Sequence, residues 1–259
     1  MPVKLAATAP AMVLGGDISS AALDLTFAMS TRGNTKANVK SAALAVLAIG
    51  ALVAGASYFR KEAVTDSHRL ARQVILRYTF SRAERPIIVL GDSITEASTL
   101  PRSLCDRAVV NAGLDGASTV SDLGTWLLEG LNGRRAAAIL IALGTNDALQ
   151  GRKQEEFEAN YGSLLAQLRG ATDHLAVLGI PSVEVRGRMP PDYQAETMKR
   201  IDVFNAALPA LAEKSGATFA ALPPMPAPHT IDGIHLDAAG YAVWEGAVLK
   251  GVRGACSTH

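Results

Sequence analysis

Residues 86–95 read Pro86-Ile87-Ile88-Val89-Leu90-Gly91-Asp92-Ser93-Ile94-Thr95. Four consecutive apolar residues, bounded by Pro and Gly, are too few for a helix and lack the alternation of a half-exposed strand. They predict a short strand buried on both faces. Gly91-Asp92-Ser93 then makes a tight strand-to-helix turn, which puts the Ser93 hydroxyl at the carboxyl end of that strand. Similar runs recur at Ala108 to Asn111, Ala137 to Leu143 and Leu175 to Leu178, with a weaker one at Thr218 to Leu222. Between them lie helix-like stretches at Ser118 to Leu131, Glu155 to Arg169, Gln194 to Lys214 and Ala238 to Val252, the last with Asp237 as its N-cap. Strands alternating with helices predict an α/β fold, a doubly wound parallel sheet with helices on both faces. Ligands of such sheets bind at the carboxyl ends of the strands, so the residues just after each run are the ones to inspect.

The rest of the chain sets bounds. Its 259 residues, 49% hydrophobic and 19% charged, suit one α/β domain with an appended segment. With 25 basic and 24 acidic residues it has no polycationic surface, and nucleic acid is not an expected partner. Cys105 and Cys256 are too few for a disulfide framework and lack the spacing of a zinc site. One bridge between them is open, as are two buried thiols. Both lie near the amino ends of the predicted strands.

Residues 1–40 read as a disordered extension. From Ser41 to Phe59 run nineteen uncharged residues, close to the ~20 that an α-helix needs to cross a bilayer. We expect a signal peptide or membrane anchor over 41–59. Arg32, Lys36 and Lys40 precede it, Ala54-Gly55-Ala56 has the small-x-small form of a cleavage site, and Met29 is an alternative start. Arg60, Lys61, Arg69, Arg72 and Arg77 on the far side weigh against export in a positive-inside count. Residues 60–85 carry Val64, Leu70, Val74, Ile75 and Tyr78 at mixed three- and four-residue spacing, which predicts a juxtamembrane amphipathic helix or linker that packs on the domain or lies along a membrane. The α/β domain is expected over 86–259, outside the cytoplasm.

A serine nucleophile needs a base within hydrogen-bond reach and a carboxylate to orient that base. Of the five histidines, His68, His174, His229 and His259 have settings that read as dispensable. His235 differs, because Asp232-Gly233-Ile234-His235 puts a carboxylate three residues before the imidazole in a loop ahead of the last helix. The third strand ends in Gly144-Thr145-Asn146-Asp147, where the Asn146 amide is a candidate oxyanion donor or an ordinary Asx turn. The second ends in Asn111-Ala112-Gly113-Leu114-Asp115-Gly116-Ala117-Ser118, where glycines allow close backbone approach. A decoy, Gly16-Asp17-Ile18-Ser19, has no such surroundings, and no G-x-S-x-G elbow stands out.

Taken in order, the blocks at 91, 111, 144 and 232 resemble those of the SGNH hydrolase superfamily of GDSL-like esterases and lipases. The resemblance covers Ile87 to Val252. It implies a flavodoxin-like five-stranded parallel sheet in three α/β/α layers, with Ser93 as nucleophile, His235 as general base and acid, and Asp232 as its orienting partner. Ser93 N–H, Gly116 N–H and the Asn146 side chain would form the oxyanion hole, Gly116 being five positions after the asparagine of its block. No metal or cofactor is implied. Leu236 stands where the family often has Pro, and Asp115 places a carboxylate beside the oxyanion glycine, to oppose the developing charge or select a substrate group.

These residues point to hydrolysis of small acyl esters, O-acetyl glycans or lipid esters, through an acyl-enzyme. An O-acyltransferase with the same triad and a silent binding module on the same fold are the alternatives. The motifs do not choose among acceptors, and they leave the oligomeric state open. The loop from Pro181 to Tyr193, with Arg186, Arg188 and Met189, is expected to border the site or to be ordinary surface.

Overall fold

The computed structural model describes residues 45–51, 67–187 and 189–256. The chain divides into two units, Met1–Glu62 and Ala63–His259. In the first, a short helix α1 spans 45–51, and its Val46, Leu47 and Ile49 are exposed. The 1–40 extension, Met29, the Ala54-Gly55-Ala56 motif and the remainder of 41–59 lie outside the described residues. Among the described residues no helix is long and apolar enough to cross a membrane.

In the second unit helix α2 (67–82) leads into β1 (Ile87–Gly91), all five of whose residues are buried. Then follow α3 (Ser93–Glu96), β2 (Ser103–Leu104), β3 (Arg107–Gly113), α4 (Leu123–Leu131), β4 (Ala136–Ala142), α5 (Thr145–Leu149), α6 (Gln154–Arg169), β5 (Thr172–Leu178), α7 (Pro191–Lys214), β6 (Thr218–Ala220) and α8 (Ala238–Gly251). The sheet order is β2-β3-β1-β4-β5-β6. Five of these strands are parallel, in the expected doubly wound order. The sixth, β2, pairs antiparallel with β3 through the two-residue turn Cys105-Asp106, whose φ values of 51° and 58° suit a hairpin turn with both central residues left-handed. Two residues are too few to leave a sequence pattern, which is why the expected sheet has five strands.

Both faces of the sheet are covered. Leu76 and Phe80 of α2, with Leu127 of α4, Leu165 of α6 and Phe204 of α7, pack with Ile88 and Ile139 in one apolar cluster. Trp244 and Val248 of α8 pack with Val89 and Leu140 in the other. Thus residues 67–82 of the expected 60–85 segment pack on the domain as α2, but through Leu76 and Phe80, each fully buried Leu or Phe contributing about 1.5–3 kcal/mol, whereas the expected Leu70, Val74, Ile75 and Tyr78 are exposed. Asp237 caps α8, accepting the Ala239 and Gly240 N–H groups at 2.9 and 3.0 Å. At the amino edge Cys105 and Cys256 form a disulfide with their Cα atoms 5.5 Å apart.

Candidate active site

The ends of β1, β3 and β4 meet where the strand order reverses about β1, the crevice that a doubly wound sheet offers a ligand. Asp92 turns the chain out of β1. Its carboxylate accepts the Ile94 N–H at 3.0 Å and so caps α3, leaving Ser93 as the first helical residue. Asp92 is only 2% exposed, and burial pushes its carboxyl up to about 7 despite the opposing backbone N–H groups.

Ser93 Oγ lies 3.0 Å from His235 Nε2, and His235 Nδ1 lies 2.8 Å from Asp232 Oδ2. The second oxygen of Asp232 accepts the backbone N–H groups of Ile234 at 3.1 Å and His235 at 2.8 Å. Burial pushes the Asp232 carboxyl up, but the His235 ring and these two N–H groups outweigh it and hold the group below its ordinary range. An ionised Asp232 makes Nδ1 the protonated ring nitrogen, which leaves Nε2 to accept the Ser93 hydroxyl proton.

The loop holding Asp232 and His235 is fastened from below. Glu184 accepts the His229 N–H at 3.0 Å, the Thr230 N–H at 2.9 Å and the Thr230 hydroxyl at 2.6 Å. Its own N–H donates to Gly233 O at 2.9 Å, and Arg186 donates to Thr230 O at 2.7 Å. The segment from Pro181 to Tyr193 therefore supports this loop through Glu184 and Arg186, and its Met189 is buried. Arg188 lies outside the described residues. His229 is also buried, its Nε2 3.0 Å from Ser182 Oγ.

The blocks after β3 and β4 are tied to each other. Asn146 donates to Ala117 O at 2.9 Å, which uses one of the two N–H donors of its amide. Asp147 is fully buried and accepts the Thr119 N–H at 3.0 Å and its hydroxyl at 2.6 Å, with Arg152 as counter-ion. These bonds hold Ser118 to Ser121 as a turn, so α4 begins at Leu123 rather than at the expected Ser118. Gly116 takes φ +71°, a left-handed conformation that turns its peptide away from the course of β3.

The resulting crevice has a volume of about 520 Å³. Ser93 and His235 line it together with Leu114 and Asp115 of the β3 loop and His68 and Arg69 of α2. His68, which reads from the sequence as dispensable, is thus brought to the crevice. Its Nε2 lies 3.0 Å from Glu96 Oε1, on a helix that packs on the domain, one of its two expected placements. Sequence reasoning also passes over Arg72, Glu96 and Glu184, whose partners are backbone groups or residues far away in the chain. His174 is remote, its Nε2 2.9 Å from Gly251 O, and His259 is not described.

Solved structures share this architecture. A Streptococcus pneumonia protein proposed to be a platelet activating factor superposes with a TM-score of 0.58 at 23% identity, covering 80% of this chain and 99% of its own. An alpha/beta hydrolase enzyme from the metagenome of Lake Arreo, Spain, gives 0.51 at 19% identity over 68% and 98%. A GDSL-like lipase from Bacteroides thetaiotaomicron gives 0.52 at 17% identity over 66% and 89%. At these identities the likeness is one of fold. No curated protein sequence matches the chain. The model of the GDSL-like lipase/acylhydrolase family matches residues 89–243, from within β1 to within α8. That span takes in all four motif blocks, and the chain accordingly belongs to the GDSL-like lipase/acylhydrolase family and is an ester-hydrolysing enzyme.

Proposed function

We propose that this enzyme is a carboxylester hydrolase in which Ser93 is the nucleophile, His235 the general base and acid, and Asp232 the residue that orients His235. The single observation carrying the assignment is the hydrogen-bonded line from Ser93 Oγ through both ring nitrogens of His235 to Asp232 Oδ2. Ser93 Oγ attacks the ester carbonyl as its proton passes to Nε2. The tetrahedral oxyanion receives hydrogen bonds from Ser93 N–H, Gly116 N–H and the Asn146 amide. Collapse expels the alcohol, which takes the proton from His235, and water then repeats the sequence to release the acid and restore Ser93.

The substrates proposed are small acyl esters, O-acetyl groups on glycans or lipid esters, for which a crevice of about 520 Å³ is large enough. A location outside the cytoplasm, with the N-terminal segment at the membrane, is part of the same proposal. It is supported by the uncharged run 41–59 and by the Cys105–Cys256 bridge, a feature of oxidising compartments.

A fluorophosphonate probe tests the central claim. The unmodified chain should be labelled at Ser93 and should hydrolyse p-nitrophenyl acetate. Ser93→Ala should abolish both, and Asn146→Ala should lower kcat about 100-fold, roughly 3 kcal/mol of transition-state stabilisation. Absence of labelling and of hydrolysis in folded, unmodified protein would sink the assignment. A reduced Cys105–Cys256 pair in protein taken from its native compartment would count against the location.

A further inference from the structure

Helix α2 lies outside the segment that matches the family, yet its inner face reaches the catalytic edge of the sheet. Arg72, whose side chain is 18% exposed, spans the start of the β3 loop. Its Nε donates to Gly113 O at 2.9 Å, and one terminal nitrogen donates to Asn111 O at 3.0 Å and Asn111 Oδ1 at 3.1 Å. The same guanidinium lies 3.4 Å from Glu96 Oε1, which also lies 3.0 Å from His68 Nε2. The other Glu96 oxygen accepts the Asp115 N–H at 2.7 Å. Asn111 completes the frame, donating to Thr95 O at 2.6 Å and accepting the Gly113 N–H at 3.0 Å.

The carbonyls of residues 111 and 113 are thus gripped by a cation of α2, and the N–H of residue 115 by an anion at the end of the nucleophile's own helix. Loop and helix are in direct contact, since a Cβ on Gly113 would fall 2.2 Å from Glu96 N. Gly116 is the next residue after this frame. An oxyanion donor works only if its direction is set before the charge develops, and a displacement of about 1 Å at a reacting group can cost on the order of 100-fold in rate.

We propose that Arg72 and Glu96 are positioning residues for the Asn111–Gly116 loop, which they hold so that the Gly116 N–H faces the carbonyl oxygen attacked from Ser93. The proposal rests on the roles given to Ser93 and Gly116 above. It makes α2 a working part of the active site as well as a packing element. Arg72 serves because its planar fork meets two carbonyls at once, which a lysine does not reproduce.

The test uses the full chain with p-nitrophenyl acetate and p-nitrophenyl butyrate. Arg72→Met should lower kcat tenfold or more, roughly equally for both esters, with KM within about twofold and a matching fall in the rate of fluorophosphonate labelling. Arg72→Lys and the near-isosteric Glu96→Gln should each lower kcat about three- to tenfold. They carry the test if Arg72→Met does not fold. Arg77→Met, which removes an α2 cation that pairs with Glu129 and does not line the crevice, should keep the parent kcat. The proposal is overturned if folded Arg72→Lys and Glu96→Gln both stay within twofold of the parent, or if Arg77→Met loses kcat to the same extent. If the unmodified chain is neither labelled nor active, the esterase assignment fails first and this proposal falls with it.

Discussion

Asp92 carries a charge that the fold does not favour. Its carboxyl is pushed up to about 7 by burial, while an unfolded chain holds it near 3.9. Between about pH 4 and pH 7 the folded state therefore binds more protons than the unfolded state, so this group's contribution to stability falls as pH rises through that window and levels off above it. Asp232 and Glu184, held below their ordinary range, act with the opposite sign, and their support is lost on acidification below about pH 4. Asp92→Asn keeps an oxygen to cap α3 but cannot ionise. Its unfolding free energy in urea should exceed the parent's at pH 8, by a few kcal/mol at most, with the difference closing towards pH 4; parallel pH profiles for parent and variant would contradict this. Ser93, Asp232 and His235, the proposed triad, are legible in the sequence because a nucleophile, a base and an orienting carboxylate must occur together, Ser93 following a strand directly and Asp232 and His235 standing three residues apart in one loop. Asp92 and Asp147 lie in the same motifs without standing out from them. An aspartate in a turn reads as solvated, and nothing local announces that Asp147 will be buried against Thr119, a residue 28 positions earlier.

Among the elements, the strands are the most legible, because a run such as Ile87 to Leu90 has few alternatives to a buried parallel strand. Helix α2 is half legible. Its apolar spacing predicts a helix, but its arginines read as a basic flank beside an apolar segment. In the structure Arg69 pairs with Asp122, Arg77 with Glu129, and Arg72 with Glu96 and two backbone carbonyls. Those partners have no sequence signature, since a carbonyl is present at every residue. Folding contacts alone thus account for three of the five basic residues that weigh against export. The helix is anchored by Leu76 and Phe80, the latter 1% exposed. Phe80→Ala should cost about 3–5 kcal/mol in chemical unfolding. A loss under about 1 kcal/mol would mean that α2 adds little to the stability of this unit.

At the scale of the whole molecule, the two edges of the sheet are fastened differently. Hydrogen bonds and ion pairs hold both, Arg85 and Arg135 meeting Asp173 at the amino edge, but the amino edge also carries the bridge between Cys105 and Cys256, 151 positions apart. Closing a loop of that length removes about 5 kcal/mol of chain entropy from the unfolded state. Cys105→Ser should lower Tm by roughly 5–15 °C while leaving kcat at about 25 °C close to the parent's. Parent and variant melting together, with and without reductant, would show that the bridge does not form in solution. The bridge also divides the catalytic body topologically. Asn146, Asp232 and His235 lie inside a covalent ring, whereas α2, β1 and Ser93 lie on the open arm before it, joined through the partly exposed stretch from Ala97 to Leu104. A protease cut within the ring leaves its pieces attached, but a cut in that stretch frees the segment with Ser93 from the one with Asn146, Asp232 and His235, and these two parts are the natural halves of a split enzyme.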